Sequence, residues 1–398
     1  MRDRPTCSLQ PTRVLGRARS RVLGVLLLLA CGGGGTTAPG SVTVAVAPER
    51  TLLVQIGATV QFTATVTGGS SGTLEWSSSD PAIATVMDGL ARAVSPGAVT
   101  ITASSGDASA SADLEVYIAE ALDEITPGGR HFGRAAYAEF LVGDLPLVLS
   151  SPHGGELFPD EIPDRTLGVT ENDLETQELT RAVREAIVER TGRAPHVVIS
   201  RLRRLKLDPN REIGEAAQGN VFAENAWAEY HGFIERAEQE VAETYGSGLY
   251  IDMHGHGHAI SRLELGYLLS ASDLANSDTE MDESDLAQKS SLRQLQVTAG
   301  IPFSELIRGP ASLGTLMADR GVPAVPSAQD PAPGTQPYFT GGYSTARHGS
   351  RDGGTISGIQ IEHWRTGLRD TEANRRAYAA VLADALLVFL QAHYGFEF

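Results

Sequence analysis

Apolar and polar positions follow two different rhythms along this chain. Between residues 41 and 117, short Val/Thr/Ala runs alternate with turn formers: Ser41–Val46, Thr59–Val66, Thr73–Trp76, Ala82–Val86, Val99–Ala103 and Ala112–Val116. Runs of this length, bounded by Gly, Ser, Pro and Asp, predict a small all-β sandwich. From residue 135 onward the texture changes. Continuous apolar runs at Leu145–Ser150, Gly248–Met253 and Gly358–Glu362 alternate with helical stretches, the pattern of an α/β domain. Helices are predicted over Asp173–Arg190, Ala223–Tyr245 and Asp370–His393. The last has Asp370-Thr371 as its cap and an apolar face of Ala377, Val381, Leu386, Phe389 and Leu390. Residues 118–134 read as a linker. The acidic stretch 271–290 reads as a solvated loop, because it lacks the glycine and ligand spacing of a calcium loop.

Charge and cysteine content narrow the chemistry. The net charge of −17 argues against nucleic acid as a partner, since phosphate binding needs a basic surface. The two cysteines, Cys7 and Cys31, both precede the predicted domains, so any metal there must be held by His, Asp and Glu. Arg13, Arg17, Arg19 and Arg21 precede the apolar run Val22–Leu29, and Ala30-Cys31 follows. A basic segment, a short apolar core and a small residue before the cut describe an export signal over residues 1–30. Leu28-Leu29-Ala30-Cys31 resembles a bacterial lipobox. That resemblance implies a lipidated Cys31 as the sole membrane attachment, a Gly-rich tether over 31–40, and a cell-envelope location, in the outer membrane if there is one.

Polar residues cluster at the ends of the apolar runs. His153-Gly-Gly-Glu156 follows one and His254 ends another. Two strand-terminal imidazoles and a carboxylate, with one position left open, form the pattern of a catalytic zinc site. Asp173 stands where a helix would start, as an N-cap or as a further candidate carboxylate. Asp252 shares a strand face with His254 and is suited to orient its ring. His256 and His258 continue into Gly-rich backbone as substrate contacts or plain loop residues, with extra metal ligands as the alternative. Arg201, Arg203, Arg204, Lys206 and Arg211 crowd one segment, read as an apolar-alternating strand whose cations face an anionic substrate group. Glu362 closes the last apolar run, where a carboxylate can act as a general base.

In this order the clusters resemble the N-formylglutamate amidohydrolase family. The resemblance spans residues 135–398 through Pro152-His153-Gly154-Gly155, Asp173, Asp208-x-Asn210-Arg211, Tyr230-His231, Asp252-x-His254, Gly341-Gly342-Tyr343 with Arg347-His348-Gly349, and Gln360-x-Glu362. It implies a zinc carboxypeptidase-like fold, a mixed twisted sheet flanked by helices, with one zinc per chain at the strand ends. His153 and His254 would be ligands. Glu156 is the expected third ligand by the His-x-x-Glu spacing, and Asp173 is the alternative. Glu362 would be the base, Arg204 or Arg203 the carbonyl-polarising cation, and Asn210 with Arg211 the carboxylate clamp. Gly342, Tyr343, Arg347 and His348 would complete the substrate site. Residues 41–117 resemble bacterial immunoglobulin-like (group 2) domains, through Trp76–Pro81, Ile83–Val86 and Ser95–Gly97 before Thr100–Ala103. The implied activity is hydrolysis of the amide in N-acyl amino acids or short peptides with a free carboxylate. A metallocarboxypeptidase and a non-catalytic surface-binding lipoprotein are the alternatives.

Overall fold

The computed structural model describes residues 41–69 and 72–398. The expected signal segment, Cys31 and the Gly-rich tether lie outside the described residues. Among the described residues, the first domain holds strands β1 (Thr43–Ala47), β2 (Arg50–Leu53), β3 (Thr59–Gln61), β4 (Thr63–Thr67), β5 (Leu74–Ser78), β6 (Ala84–Met87), β7 (Leu90–Ala93), β8 (Gly97–Ser105) and β9 (Ala108–Val116). They form sheets ordered β1-β4, β2-β9-β8-β5 and β3-β7-β6. The period-two reading holds in detail along β8: Val99, Ile101 and Ala103 are buried, while Ala98 is exposed and Thr100 and Thr102 are only partly covered. The inward set packs with Phe62, Ala84, Ala91 and Leu114.

The second domain contains strands β10 (Arg130–Phe132), β11 (Ala138–Leu141), β12 (Leu147–Ser151), β13 (His196–Ser200), β14 (Gly248–Gly255), β15 (Leu263–Gly266), β16 (Ala324–Val325) and β17 (Ile356–His363). Its helices are α1 (Thr176–Thr191), α2 (Ile213–Ala217), α3 (Val221–Tyr245), α4 (Ala271–Leu274), α5 (Asp278–Glu283), α6 (Leu286–Lys289), α7 (Arg293–Ala299), α8 (Phe303–Arg308), α9 (Leu313–Ala318), α10 (Tyr343–His348) and α11 (Glu372–Tyr394). The sheet runs β10-β11-β13-β12-β14-β17-β15-β16. Its centre, β13-β12-β14-β17, is parallel, whereas β11 and β15 join it antiparallel. The fold is thus α/β with a mixed sheet, preceded by an all-β domain.

Central strands covered on both faces must be apolar throughout. Leu147 and Leu149 face a core shared with Leu179 and Val183 of α1 and with Leu386 and Phe389 of α11. Val148, between them, faces Tyr230, Ile234 and Val241 of α3. Helix α11 is long and apolar enough to cross a bilayer, but its apolar side is packed in this core; Ala377, expected on that side, is exposed. The parallel strands all point their carboxyl ends to one edge, where ligands bind in open α/β sheets.

Three expectations need correction. The segment 118–134 is more than a linker, because its residues 130–132 form edge strand β10. The stretch 271–290 is helical in three short pieces. Ser270 with Asp273 and Ser277 with Glu280 form capping boxes, and Met281 and Leu286 are buried beneath the acidic surface. Residues 201–211 are a looping turn after β13, with a single bridge from Leu202 to Leu157, so the basic residues do not alternate across a strand.

Candidate active site

His153 reaches the sheet edge because the chain turns immediately after β12. A Cβ on Gly155 would lie 2.1 Å from the Leu202 carbonyl oxygen, and one on Gly154 would lie 2.5 Å from Thr176 Oγ1. Both positions therefore require glycine for close backbone approach. His254 arrives from β14, and its Cα pairs in parallel register with that of Glu362 on β17.

The imidazoles meet edge to face, with ring centroids 4.8 Å apart. Each is held from behind by a carboxylate. His153 Nε2 is 2.6 Å from Asp208 Oδ1, and His254 Nε2 is 2.8 Å from Asp252 Oδ2. Asp252 also accepts from Ser150 Oγ at 2.7 Å, and Asp208 from the Asn210 backbone and from Arg204 Nε, each at 3.0 Å. With Nε2–H donated to these acceptors, each ring, when neutral, presents its Nδ1 lone pair forward. Both Nδ1 atoms point at Asp173 Oδ2, at 3.2 Å from His153 and 3.3 Å from His254.

With both rings neutral, three acceptors face one another and repel unless a cation lies among them; with a ring protonated, Asp173 accepts from its Nδ1–H instead. Ligands about 2.1 Å from a tetrahedral metal stand about 3.4 Å apart, close to the separations found here. The donor set of two imidazoles and one carboxylate, each ring backed by a carboxylate, thus fits a zinc-like ion.

The carboxylates, imidazoles and arginines of the site shift one another. Burial would raise the Asp173 carboxyl, but His153 and His254 hold it well below the usual range. Asp208 is likewise driven low, against its burial, by His153, Arg204 and Arg211. Burial disfavours protonated His254, yet Asp252 and Asp173 raise it well above an ordinary imidazole. Glu362, whose Oε1 lies 3.9 Å from His254 Nδ1, is pushed up to about 8 by burial, with Asp173, Glu264 and Asp252 adding and His254 opposing. A cation among the ligands would draw it back down.

His153, Asp173, Arg204, Asn210, Arg211, His254, Gly342 and Glu362 all line one cavity of about 300 Å³. The structure does not bring every expected residue there. Glu156 is exposed and pairs with Arg203 at 3.3 Å, because the Gly154-Gly155 bend turns it outward; Asp173 takes the position expected of it. Arg203 is exposed with it, beside Phe158, whereas Arg204 is buried and reaches Asp208 and Asp173. Asp173 does not cap α1, whose N-cap is Glu175 with no side-chain bond. Tyr343, Arg347 and His348 face away from the cavity. Arg347 binds Glu235 and Tyr343, and His348 is buried between His231, at 2.8 Å, and Glu238.

Asp208 carries no local sign of its role. Its Asp-Pro-Asn context gives no sign of contact with a histidine 55 positions earlier. His256, His258 and Glu264 form a second cluster, but its groups are closed by ordinary hydrogen bonds. His256 Nε2 donates to Arg262 O at 2.9 Å, its Nδ1 accepts from the His258 backbone at 3.1 Å, and His258 Nδ1 is 2.7 Å from Glu264 Oε1.

Comparison with known proteins addresses the two domains separately. The chain is similar to the gene product Atu2144 from Agrobacterium tumefaciens at 14% identity, covering 66% of this chain and 98% of that one, with a TM-score of 0.42. It is similar to N-formylglutamate amidohydrolase from Ralstonia eutropha JMP134 at 14% identity, covering 68% and 98%, with a TM-score of 0.38. The surface layer protein SbsC, domains 1–6, matches at 20% identity over 22% of this chain, with a TM-score of 0.19, and the match spans only 14% of that structure. No curated protein matches. Residues 41–116 match the family model of the bacterial Ig-like domain (group 2), which identifies the first domain.

Proposed function

We propose that the second domain is a metal-dependent hydrolase that cleaves the amide bond of a small substrate bearing a free carboxylate. The observation that carries this reading is the convergence of His153 Nδ1, His254 Nδ1 and Asp173 Oδ2, with Asp208 and Asp252 behind the two rings. These three residues would hold one zinc, which when bound supplies Lewis-acid polarisation of the scissile carbonyl and of water.

The remaining steps belong to the protein. Glu362, in the same cavity, accepts the proton of the attacking water and returns it to the leaving amine. Arg204, fixed by Asp208 and Asp173, presents positive charge where the carbonyl oxygen gains negative charge. Arg211 and Asn210 anchor the substrate carboxylate. Asn210 is held in place by donation from Ser344 N to its Oδ1 at 2.8 Å. A cavity of about 300 Å³ suits an N-acyl amino acid or dipeptide better than a long peptide. The leader and Cys31 extend the reading to an exported, lipid-anchored protein, and an Ig-like module is consistent with a cell-envelope location.

The test is metal analysis of the soluble mature chain with hydrolysis of N-formyl, N-acetyl and dipeptide substrates, with and without chelator. One zinc per chain and chelator-sensitive release of a free amino acid are expected. Glu362→Gln should lower turnover by roughly 10²- to 10⁴-fold, the range for a lost general base, with metal retained. Metal-free protein without turnover would overturn the reading and favour a surface-binding lipoprotein.

A further inference from the structure

The segment Tyr338–Gly342 forms a strap along the cavity wall and is anchored by polar contacts. Tyr338 Oη donates to Leu265 O at 2.5 Å, and Leu268 N donates to Thr340 O at 2.6 Å. Glu264, only 1% exposed, accepts from the Phe339 backbone at 2.8 Å through one carboxylate oxygen and holds His258 with the other. The His258 ring then lies flat against the Phe339 ring, with centroids 4.8 Å apart and planes 7° apart. Burying a carboxylate is costly unless it is paired and hydrogen-bonded. Here both of its oxygens are committed to fixing one aromatic residue. Yet that residue, Phe339, is 42% exposed and lines the same cavity as the histidine pair.

The sheet order says which end of the substrate this aromatic platform meets. Arg204 and Arg211 come from the loop after β13, His153 follows β12, His254 and Glu362 lie on β14 and β17, and Glu264 lies on β15. These strand ends span four spacings, roughly 19 Å at about 4.8 Å each. Arg204, bound to the Asp208 that holds His153, thus stands on the His153 side of the pair, and Phe339, held by Glu264 of β15, on the Glu362 side, while Asn210 reaches between them to the strap at Gly342. In an N-acyl amino acid the carboxylate lies on the amine side of the scissile carbonyl and the acyl chain on the other. With the carboxylate toward Arg211, the acyl chain runs toward Phe339.

Resting on the amide-hydrolase reading above, we infer that Phe339, braced by His258 and Glu264 and flanked by Tyr338, is the acyl-recognition surface, and that the substrate is an N-acyl amino acid whose acyl group is aryl or extended alkyl, not formyl. The platform is fixed before binding, so the substrate does not have to order it.

The test uses the metal-loaded Glu362→Gln chain, so that binding is measured without turnover. Titration calorimetry would compare N-formyl and N-phenylacetyl forms of alanine, leucine and glutamate. Phenylacetyl forms should bind at least roughly tenfold more tightly, the scale of hydrophobic pocket discrimination. Adding Phe339→Ala should erase the difference while leaving metal content unchanged, which also guards against misfolding. Equal affinities for the two acyl forms, or a loss in Phe339→Ala shared equally by both, would overturn the inference and leave the hydrolase reading intact. Absence of binding by every compound, with no hydrolysis by the native chain, would instead sink the hydrolase reading and this inference with it.

Discussion

At the scale of single residues, the site turns on which carboxylate meets two imidazoles. Asp173 is buried with its Oδ2 facing both Nδ1 atoms, while Glu156 is exposed beside Arg203. Asp173→Ala should therefore abolish stoichiometric metal binding, and Glu156→Gln should leave it unchanged. Asp208→Asn and Asp252→Asn should each weaken metal affinity by roughly 10- to 100-fold, the usual cost of losing an acceptor behind a ligand. Competition with a chelator of known affinity measures all four; metal retained by Asp173→Ala would remove that residue from the site. The sequence made the histidines visible because each ends an apolar run. Its spacing favours Glu156 over Asp173, and the spacing misleads because side-chain placement depends on the bend at Gly154-Gly155. Strand alternation no longer dictates side-chain direction past that bend. Nor could it separate Arg203 from Arg204, which are adjacent in sequence but pair with Glu156 and Asp208 respectively.

At the scale of elements, placement of the site depends on register and on tight turns. The parallel pairing of β14 with β17 sets His254 opposite Glu362, and a slip of one residue would turn one of them to the other face. The turn after β12 is equally exacting. Gly155→Ala would drive a methyl group into the Leu202 carbonyl, so it should destabilise the domain by about 1 to 3 kcal/mol, as overpacking does, and reduce metal content by displacing His153. Gly214, in α2, has nothing within 4 Å of an added Cβ. Gly214→Ala should be neutral or stabilising by up to about 1 kcal/mol, as for alanine replacing glycine inside a helix. Thermal melts of the two variants separate a steric effect from a general intolerance of change. Elements with strong periodicity were legible: α3 begins two residues before its expected start, and α1 begins at Thr176. The helices over 271–290 are not legible from charge, because an acidic run suits a solvated loop and a solvated helix face alike. Yet Ser270-x-x-Asp273 and Ser277-x-x-Glu280 are sequence-level capping signals, and Met281 supplies an inward apolar position.

At the scale of the whole molecule, the two domains are joined by more than a covalent connection. Arg134 is 9% exposed. Its guanidinium binds Glu115, near the end of β9, and Glu161 of the second domain, while lying 4.6 Å over the Phe222 ring. Beside it, Leu52 of β2 packs in one apolar cluster with Tyr137, Ile162, Phe222 and Trp227. Nothing in the local sequence marks Arg134 as different from the chain's other arginines, because its partners lie 19 and 27 positions away. Removing it would leave Glu115 and Glu161 close together without their shared cation. Arg134→Ala should thus weaken the junction by about 2 to 3 kcal/mol, the scale of charge-assisted bonds lost from a largely buried site. Since neither domain's own core is touched, the loss should fall on their coupling. Calorimetry should show one unfolding transition in the native chain and two in the variant, and protease should cut faster within residues 118–128. Amide hydrolysis should persist, because Arg134 does not line the cavity. A single transition retained at the native temperature would show that the apolar cluster around Leu52 holds the domains together without the ion pairs.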